Sequence, residues 1–233
     1  MQTKSDTIQA QSDVEPQKNF TQAILERRAT SHFKPDPIPD ADLDEILRLA
    51  GQAPSGYNLQ PWRFIVLRDA ESKTRLQKVA FDQEKISEAP AVIIFLGMKE
   101  QTKEWARDIF GEGVQRGLGR PENMEKNMKG ALDFISNQVG WEVWVNRHTM
   151  IAFSFAMLAA ETLGYDTAPM EGFDSAGVKQ EFGIPDEAEV VALLAIGRGK
   201  EPDKKYPGRL SLEKIVFAEK YSGAWNGSAA RNG

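Results

Sequence analysis

A chain of 233 residues holds one substantial core without requiring a second domain. Its 41% hydrophobic and 27% charged residues exclude a disordered chain, and 29 basic against 34 acidic residues, with no dense Lys/Arg run, exclude a phosphate-tracking nucleic-acid stripe. Cysteine is absent and there are only two histidines, which excludes disulfides, thiolate catalysis, iron–sulfur centres and histidine-rich metal sites; no metal is expected.

Residues 1–17 are rich in Gln, Ser and Asp, with neither a helical period nor the apolar run of a secretory signal. They read as a disordered lead-in to a cytoplasmic protein, followed by one domain over 18–217. Phe20, Ala23 and Ile24 begin a short amphipathic helix that carries Arg27 and Arg28 at its end and stops in Thr30 and Ser31. Pro35, Pro37 and Pro39 then force an extended stretch. Asp40 or Asp42 is expected to cap the next helix, which presents Leu43, Ile46, Leu47 and Ala50 on one face and stops at Gly51.

A loop rich in turn formers, Ala53 to Trp62, leads into a strand over Phe64 to Leu67. A helix is predicted over Ser72 to Val79, and the continuous apolar run Pro90 to Leu96 reads as a strand buried on both faces. Residues 99–147 are charged, aromatic and helix-leaning, with Trp105, Phe110, Phe134, Trp141 and Trp144 among them, and read as a helical excursion covering a substrate face, the alternative for the individual tryptophans being core or dimer-interface packing. Thr149 to Leu163 is small and apolar nearly all round, the mark of a deeply buried helix, and falls short of the roughly 20 residues a membrane span needs. Asp166 to Phe173 reads as a connection to a short helix, and Glu189 to Ile196 as a third buried strand. One amphiphilic patch, Leu212 to Phe217, precedes a flexible tail over 218–233.

Three motifs fail on inspection. Gly111-Glu112-Gly113 with Gly117 has the wrong spacing for a dinucleotide fingerprint and follows a helical pattern. Gly197-Arg198-Gly199-Lys200 lacks the remainder of a P-loop and reads as a turn, and Ser55 has no His or Asp partner that would make it a nucleophile. What remains suits a phosphorylated, planar ligand. Arg27 and Arg28 with the hydroxyls of Thr30 and Ser31, and Arg209 with Lys204 and Lys205, are two basic clusters able to close on one phosphate, the alternative being solvated surface charge. In the Pro54–Gln60 loop, Gly56 permits close backbone approach while Asn58 and Gln60 bring paired donors and acceptors; a turn that satisfies its own backbone is the alternative.

Arg27-Arg28-Ala29-Thr30 with Phe33, the run Ala53 to Phe64 (APSGYNLQPWRF), and Pro169-Met170-Glu171-Gly172-Phe173 together resemble the FMN-dependent nitroreductase family, in order and in separation, over roughly Phe20 to Phe217. The resemblance implies an α+β fold, a three-layer sandwich with a central, mainly antiparallel sheet flanked by helices, in an intertwined homodimer with two FMN sites at the interface. It implies ping-pong hydride transfer from NADH or NADPH through flavin N5 to a small electrophile such as a nitroaromatic or a quinone. Arg27 and Arg209 would hold the phosphate, with Arg28, Ala29 and Ser31 on the same strip. Pro54, Ser55, Gly56 and Asn58 would reach the flavin from the other subunit. Met170, Glu171 and Gly172 would lie beside the isoalloxazine, the Gly172 amide near N5, with Gln83 at the pyrimidine and Lys85 toward N1 and O2. His148 stands where the family often has Gln, or is a core histidine. Ala29, Ser31 and Asp82 depart from the residues many members carry, and bear on the grip of the pyrimidine and the flavin potential. The same fold also supports dehalogenation, flavin fragmentation, substrate dehydrogenation or a non-catalytic flavin-binding role.

Overall fold

The computed structural model describes residues 18–200 and 206–225, so the expected lead-in, Lys204, Lys205 and the last part of the tail lie outside the described residues. α1 (Phe20–Glu26) opens on a reciprocal capping box between Asn19 and Gln22 and ends at Arg27, so the basic pair follows the helix instead of extending it. α2 (Asp40–Ala50) corrects the expected cap: Pro39 precedes it without a side-chain bond, and Asp40 and Asp42 sit in the first turn, where their charge meets the positive end of the helix dipole. Next come β1 (Trp62–Leu67), α3 (Ala70–Val79), capped by Asp69, and a short α4 (Glu84–Glu88).

β2 (Ala91–Met98) leads to the excursion, which is α5 (Glu100–Gln115), α6 (Met124–Phe134) and a π-helical turn at Ile135–Val139. α7 (Trp141–Thr162) starts eight residues before the expected helix, because Trp141, Trp144 and Val145 are buried and continue its packed face. Both tryptophans therefore belong to the core and not to a lid. β3 (Asp166–Met170), α8 (Ser175–Phe182), β4 (Ala188–Gly197) and α9 (Leu212–Ile215) complete the described chain. β3 replaces an expected connection. Its Pro169 argues against a strand in sequence, but an edge strand tolerates a missing donor on its free side.

The sheet order is β1-β2-β4-β3 with every pair antiparallel. β2 is buried throughout and shows how the layers form. Val92, Ile94, Leu96 and Met98 pack with Leu76, Ile86 and Val178 of α3, α4 and α8. Ala91, Ile93 and Phe95 pack with Ile46 of α2 and Phe153 and Ala156 of α7. Successive residues of a strand face opposite ways, so a run apolar at every position takes a helical layer on each side.

The Gly197–Lys200 motif is not a free turn. Phe33 bridges Gly199, Lys34 N donates to Arg198 O at 2.7 Å and Lys200 N to His32 O at 3.0 Å, so residues 32–34 lengthen the sheet at this corner. Glu88 staples the same strip by accepting from Phe33 N at 2.9 Å and pairing with Lys200.

Tyr165, itself buried, donates its hydroxyl to Asp42 and so ties the end of α7 to α2. Burial, aided by the Asp42 carboxylate, pushes the Tyr165 hydroxyl up to about 12. The folded value exceeds the unfolded one, so this bond stabilises fully below about pH 10 and is lost as pH rises toward 12. Tyr165→Phe is expected to cost about 1–3 kcal/mol at pH 7 and to remove part of the fall in stability above pH 10, both read from urea unfolding.

Candidate functional site

The candidate residues fall into two groups at opposite edges of the sheet. The first gathers beside β3. Ala29 bridges Thr167 and Thr30 N donates to Thr167 O at 3.0 Å, which lays the strip 27–33 along the edge strand. Arg27 caps the end of α1 through its N–H to Ala23 O, at 3.0 Å. Its guanidinium is half-buried, and its Nη1 is buried without a hydrogen-bond partner. Burial, first, and then the neighbouring charges of Arg209 and Arg28 lower its pKa, against the opposing pull of Glu161.

Arg209 is thus brought within electrostatic reach of Arg27 from nearly the other end of the chain. Tyr206 lies between them in sequence and stacks on Arg28, 4.3 Å from ring centre to guanidinium carbon, with Arg209 at 5.7 Å. Arg28 spends one nitrogen, Nη1, on Leu25 O and Arg27 O, both at 2.7 Å, and so closes the C-terminal end of α1. Ala29 and Ser31 are exposed on the same strip.

β3 ends at buried Met170, and the next two residues, Glu171 and Gly172, are exposed. Gln83 Nε2 donates to Gly172 O at 2.8 Å and to Ala80 O at 3.0 Å, which fixes the Gly172 peptide against the segment before α4. In that segment Phe81 and Asp82 both hold left-handed backbone, with φ of 55° and 53°, and the Phe81 ring comes beside Gly172. Nothing in the sequence marks this conformation at Phe81, whereas aspartate, as at Asp82, is among the residue types that adopt it more readily. Lys85, on α4, is half-buried, and burial alone lowers its pKa, with no carboxylate opposing it.

The second group is the loop before β1. Ser55 Oγ accepts from Gln60 N at 2.9 Å, the role of a turn serine, and Asn58 N donates to Ser55 O at 3.0 Å. Gly56 lies against α7: a Cβ there would stand 3.3 Å from Trp144 Nε1 and 3.4 Å from His148 Nε2. His148 Nδ1 donates to Trp144 O at 2.7 Å, which directs the other ring nitrogen toward Gly56, and the two rings stack at 4.2 Å. Pro54 is exposed at the start of the loop and Leu59 is its buried anchor.

These groups do not meet within one chain. β1 and β3 are three strand spacings apart, about 14 Å. Along α7, His148 and Glu161, near which the two groups sit, are separated by about 20 Å at 1.5 Å per residue.

The family model described as the nitroreductase family matches residues 24–198, which spans the whole sheet and both groups apart from Tyr206 and Arg209. The chain belongs to the nitroreductase family. It is an oxidoreductase of that type. It is 34% identical over 196 residues to a Thermus thermophilus protein named NADH dehydrogenase, covering 84% of this chain and 93% of that one. Among solved structures it matches a Staphylococcus epidermidis protein described as an NAD(P)H:FMN oxidoreductase, at 27% identity and TM-score 0.80 over 88% of this chain and 98% of the other. It also matches an Exiguobacterium sibiricum protein described as a nitroreductase and solved in complex with FMN, at 25% identity and TM-score 0.76 over 87% and 98%. Among the described residues of this nitroreductase-family chain, no helix is long and apolar enough to cross a membrane.

Proposed function

We propose that this protein is a homodimeric reductase that carries FMN, takes reducing equivalents from NADH or NADPH, and passes them in ping-pong fashion to small electrophiles such as nitroaromatics and quinones. The observation that carries the reading is the buried, unpartnered Nη1 of Arg27, facing the charges of Arg28 and Arg209. Burial and repulsion by two other cations outweigh the pull of Glu161 on this half-buried guanidinium, so a further anion joining it is favoured. The terminal phosphate of FMN supplies that anion, and the relative solved with FMN shares this fold.

Bound FMN would supply the redox chemistry, accepting hydride at N5 and yielding it to the acceptor, so the protein needs no catalytic triad. Arg27 and Arg209 would hold the phosphate. Gln83 occupies the Gly172 carbonyl, so the Gly172 N–H is the group of that peptide left for N5. Glu171 and Met170 flank it. Lys85, desolvated and unopposed, would offer positive charge toward N1 and O2, where reduction gathers negative charge. Pro54, Ser55, Gly56 and Asn58, on the far edge of the sheet, would complete the site of a second copy, with His148 behind them. Leu210, Leu212, Ile215 and Tyr221 are all more than half exposed in the single chain, an apolar arm suited to lying on that second copy.

Anaerobic titration tests the reading. Purified protein is expected to be yellow, to hold about one FMN per chain, to bleach with NADH or NADPH and to recover its absorbance with a nitroaromatic or quinone. Colourless, monomeric protein that takes up no FMN on reconstitution would refute it, and bound FMN that neither nicotinamide bleaches would redirect it to one of the other reactions of this fold.

A further inference from the structure

The loop that carries Ser55 and Asn58 holds three non-glycine residues in left-handed backbone: Tyr57 at φ 56°, Asn58 at 57° and Gln60 at 46°. Each such residue costs on the order of 1 kcal/mol or more, so surrounding contacts must impose the shape. Inside the loop, Gln60 Nε2 donates to Asn58 O at 2.9 Å, and on one side Gly56 rests on Trp144 and His148. On the other side the restraint is Arg63.

Arg63 Nη1 donates to Gln60 O at 3.1 Å and to Trp62 O at 2.6 Å, clasping the chain on both sides of Pro61. Its Nε donates to Gln101 Oε1 at 2.7 Å, and its plane lies over the Trp105 ring at 4.1 Å. Gln101 and Trp105 are one turn apart on α5, the first helix of the excursion. Burial lowers the Arg63 pKa, against the attraction of Glu187, whose Oε2 accepts from Lys99 N at 2.8 Å and Glu100 N at 2.9 Å at the start of the same helix. One guanidinium therefore joins loop and helix. Lysine has neither the fork nor the flat face to make these contacts together.

We propose that Arg63 is a positioning residue that locks the first excursion helix to the Ser55–Gln60 loop, so that the helix over the acceptor and the loop facing the flavin move as one body. Its consequence for the flavin rests on the proposed function above; the mechanical link does not. A larger acceptor that displaces α5 then disturbs the loop, and a loop ordered by cofactor steadies α5.

The test compares wild type, Arg63→Lys, Trp105→Leu and the double variant. Without cofactor, hydrogen exchange is expected to quicken about tenfold in each variant at the Gln60 amide and, together with it, at amides of the first turns of α5. With FMN, each single variant is expected to weaken FMN binding to apoprotein by up to about tenfold and to raise the acceptor KM, with kcat within about twofold. The double variant should be no worse than Arg63→Lys, because both changes break one link. Exchange that quickens in the helix or the loop alone, or effects on FMN affinity that multiply in the double variant, would overturn the proposal. Were wild-type protein to take up no FMN, the functional reading would fall and the exchange result would still decide this one.

Discussion

Arg27→Ala is expected to weaken FMN binding about a hundredfold while leaving the melting temperature of the cofactor-free protein nearly unchanged. The two halves have one cause. Without the phosphate, the Arg27 guanidinium is partly desolvated and has a buried N–H with no partner, and burial together with repulsion by Arg209 and Arg28 outweighs the attraction of Glu161, so its charge contributes little to the fold. With the phosphate in place the same N–H groups make charge-assisted bonds worth about 1.5–3 kcal/mol each, which sets the hundredfold. Melting curves separate the two states. At FMN concentrations a hundred times the wild-type Kd, ligand linkage stabilises wild type by about 2.7 kcal/mol and the variant by about 0.4 kcal/mol. For a chain of this size that difference is a gap of roughly 5–9 °C in the FMN-dependent gain, with the cofactor-free curves close together. A variant that melts far below wild type without FMN, or that keeps the full gain with it, would remove Arg27 from the phosphate site.

Gly197→Ala is expected to cause a large loss of stability for a single added methyl. A Cβ at Gly197 would stand 2.5 Å from Pro90 Cδ and 2.9 Å from Phe33 Cδ1, and neither a proline ring nor a fully buried phenylalanine yields cheaply. Overpacking of this kind costs about 1–3 kcal/mol, here at the upper end, or roughly 6–12 °C in melting temperature. The site lies where β4, the start of β2 and the 30–34 strip meet, so the damage should also reach the Arg27 strip and appear as weaker FMN binding. Gly130→Ala is the control. Gly130 lies within α6 with no atom near its would-be Cβ, and the change there should raise stability by up to about 1 kcal/mol through helix propensity. Equal behaviour of the two variants in thermal unfolding would refute the packing argument.

Much of the fold is legible along the chain because local patterning and tertiary need agree there. The run Pro90 to Leu96 is apolar at every position, and only a central strand with a helical layer on each face accommodates that. Leu43, Ile46, Leu47 and Ala50 mark α2 in the same way, because one apolar face at helical spacing needs only one layer to cover it. The residues proposed to bind the flavin were reachable only jointly: a glycine-bearing loop of amides or a basic strip is an ordinary surface feature by itself, and it is their joint order along the chain that resembles one family.

Other features belong to the folded chain alone. β3 is a strand because β4 presents a free edge to it, an inducement no local signal carries past Pro169. Trp141 and Trp144 join the core because α7 extends to include them, a choice between lid and core that aromatic composition alone leaves open. The left-handed backbone of Phe81 and Asp82, the bridging role of Arg63 and the approach of Arg209 to Arg27 each depend on partners between one and about 180 residues away. The sequence by itself determined which side chains are available to bind an anion and a planar ring, since composition and short-range pattern are properties of the chain. Only the tertiary structure decided that those side chains divide between two edges of one sheet, because separation in space is set by strand order and helix length.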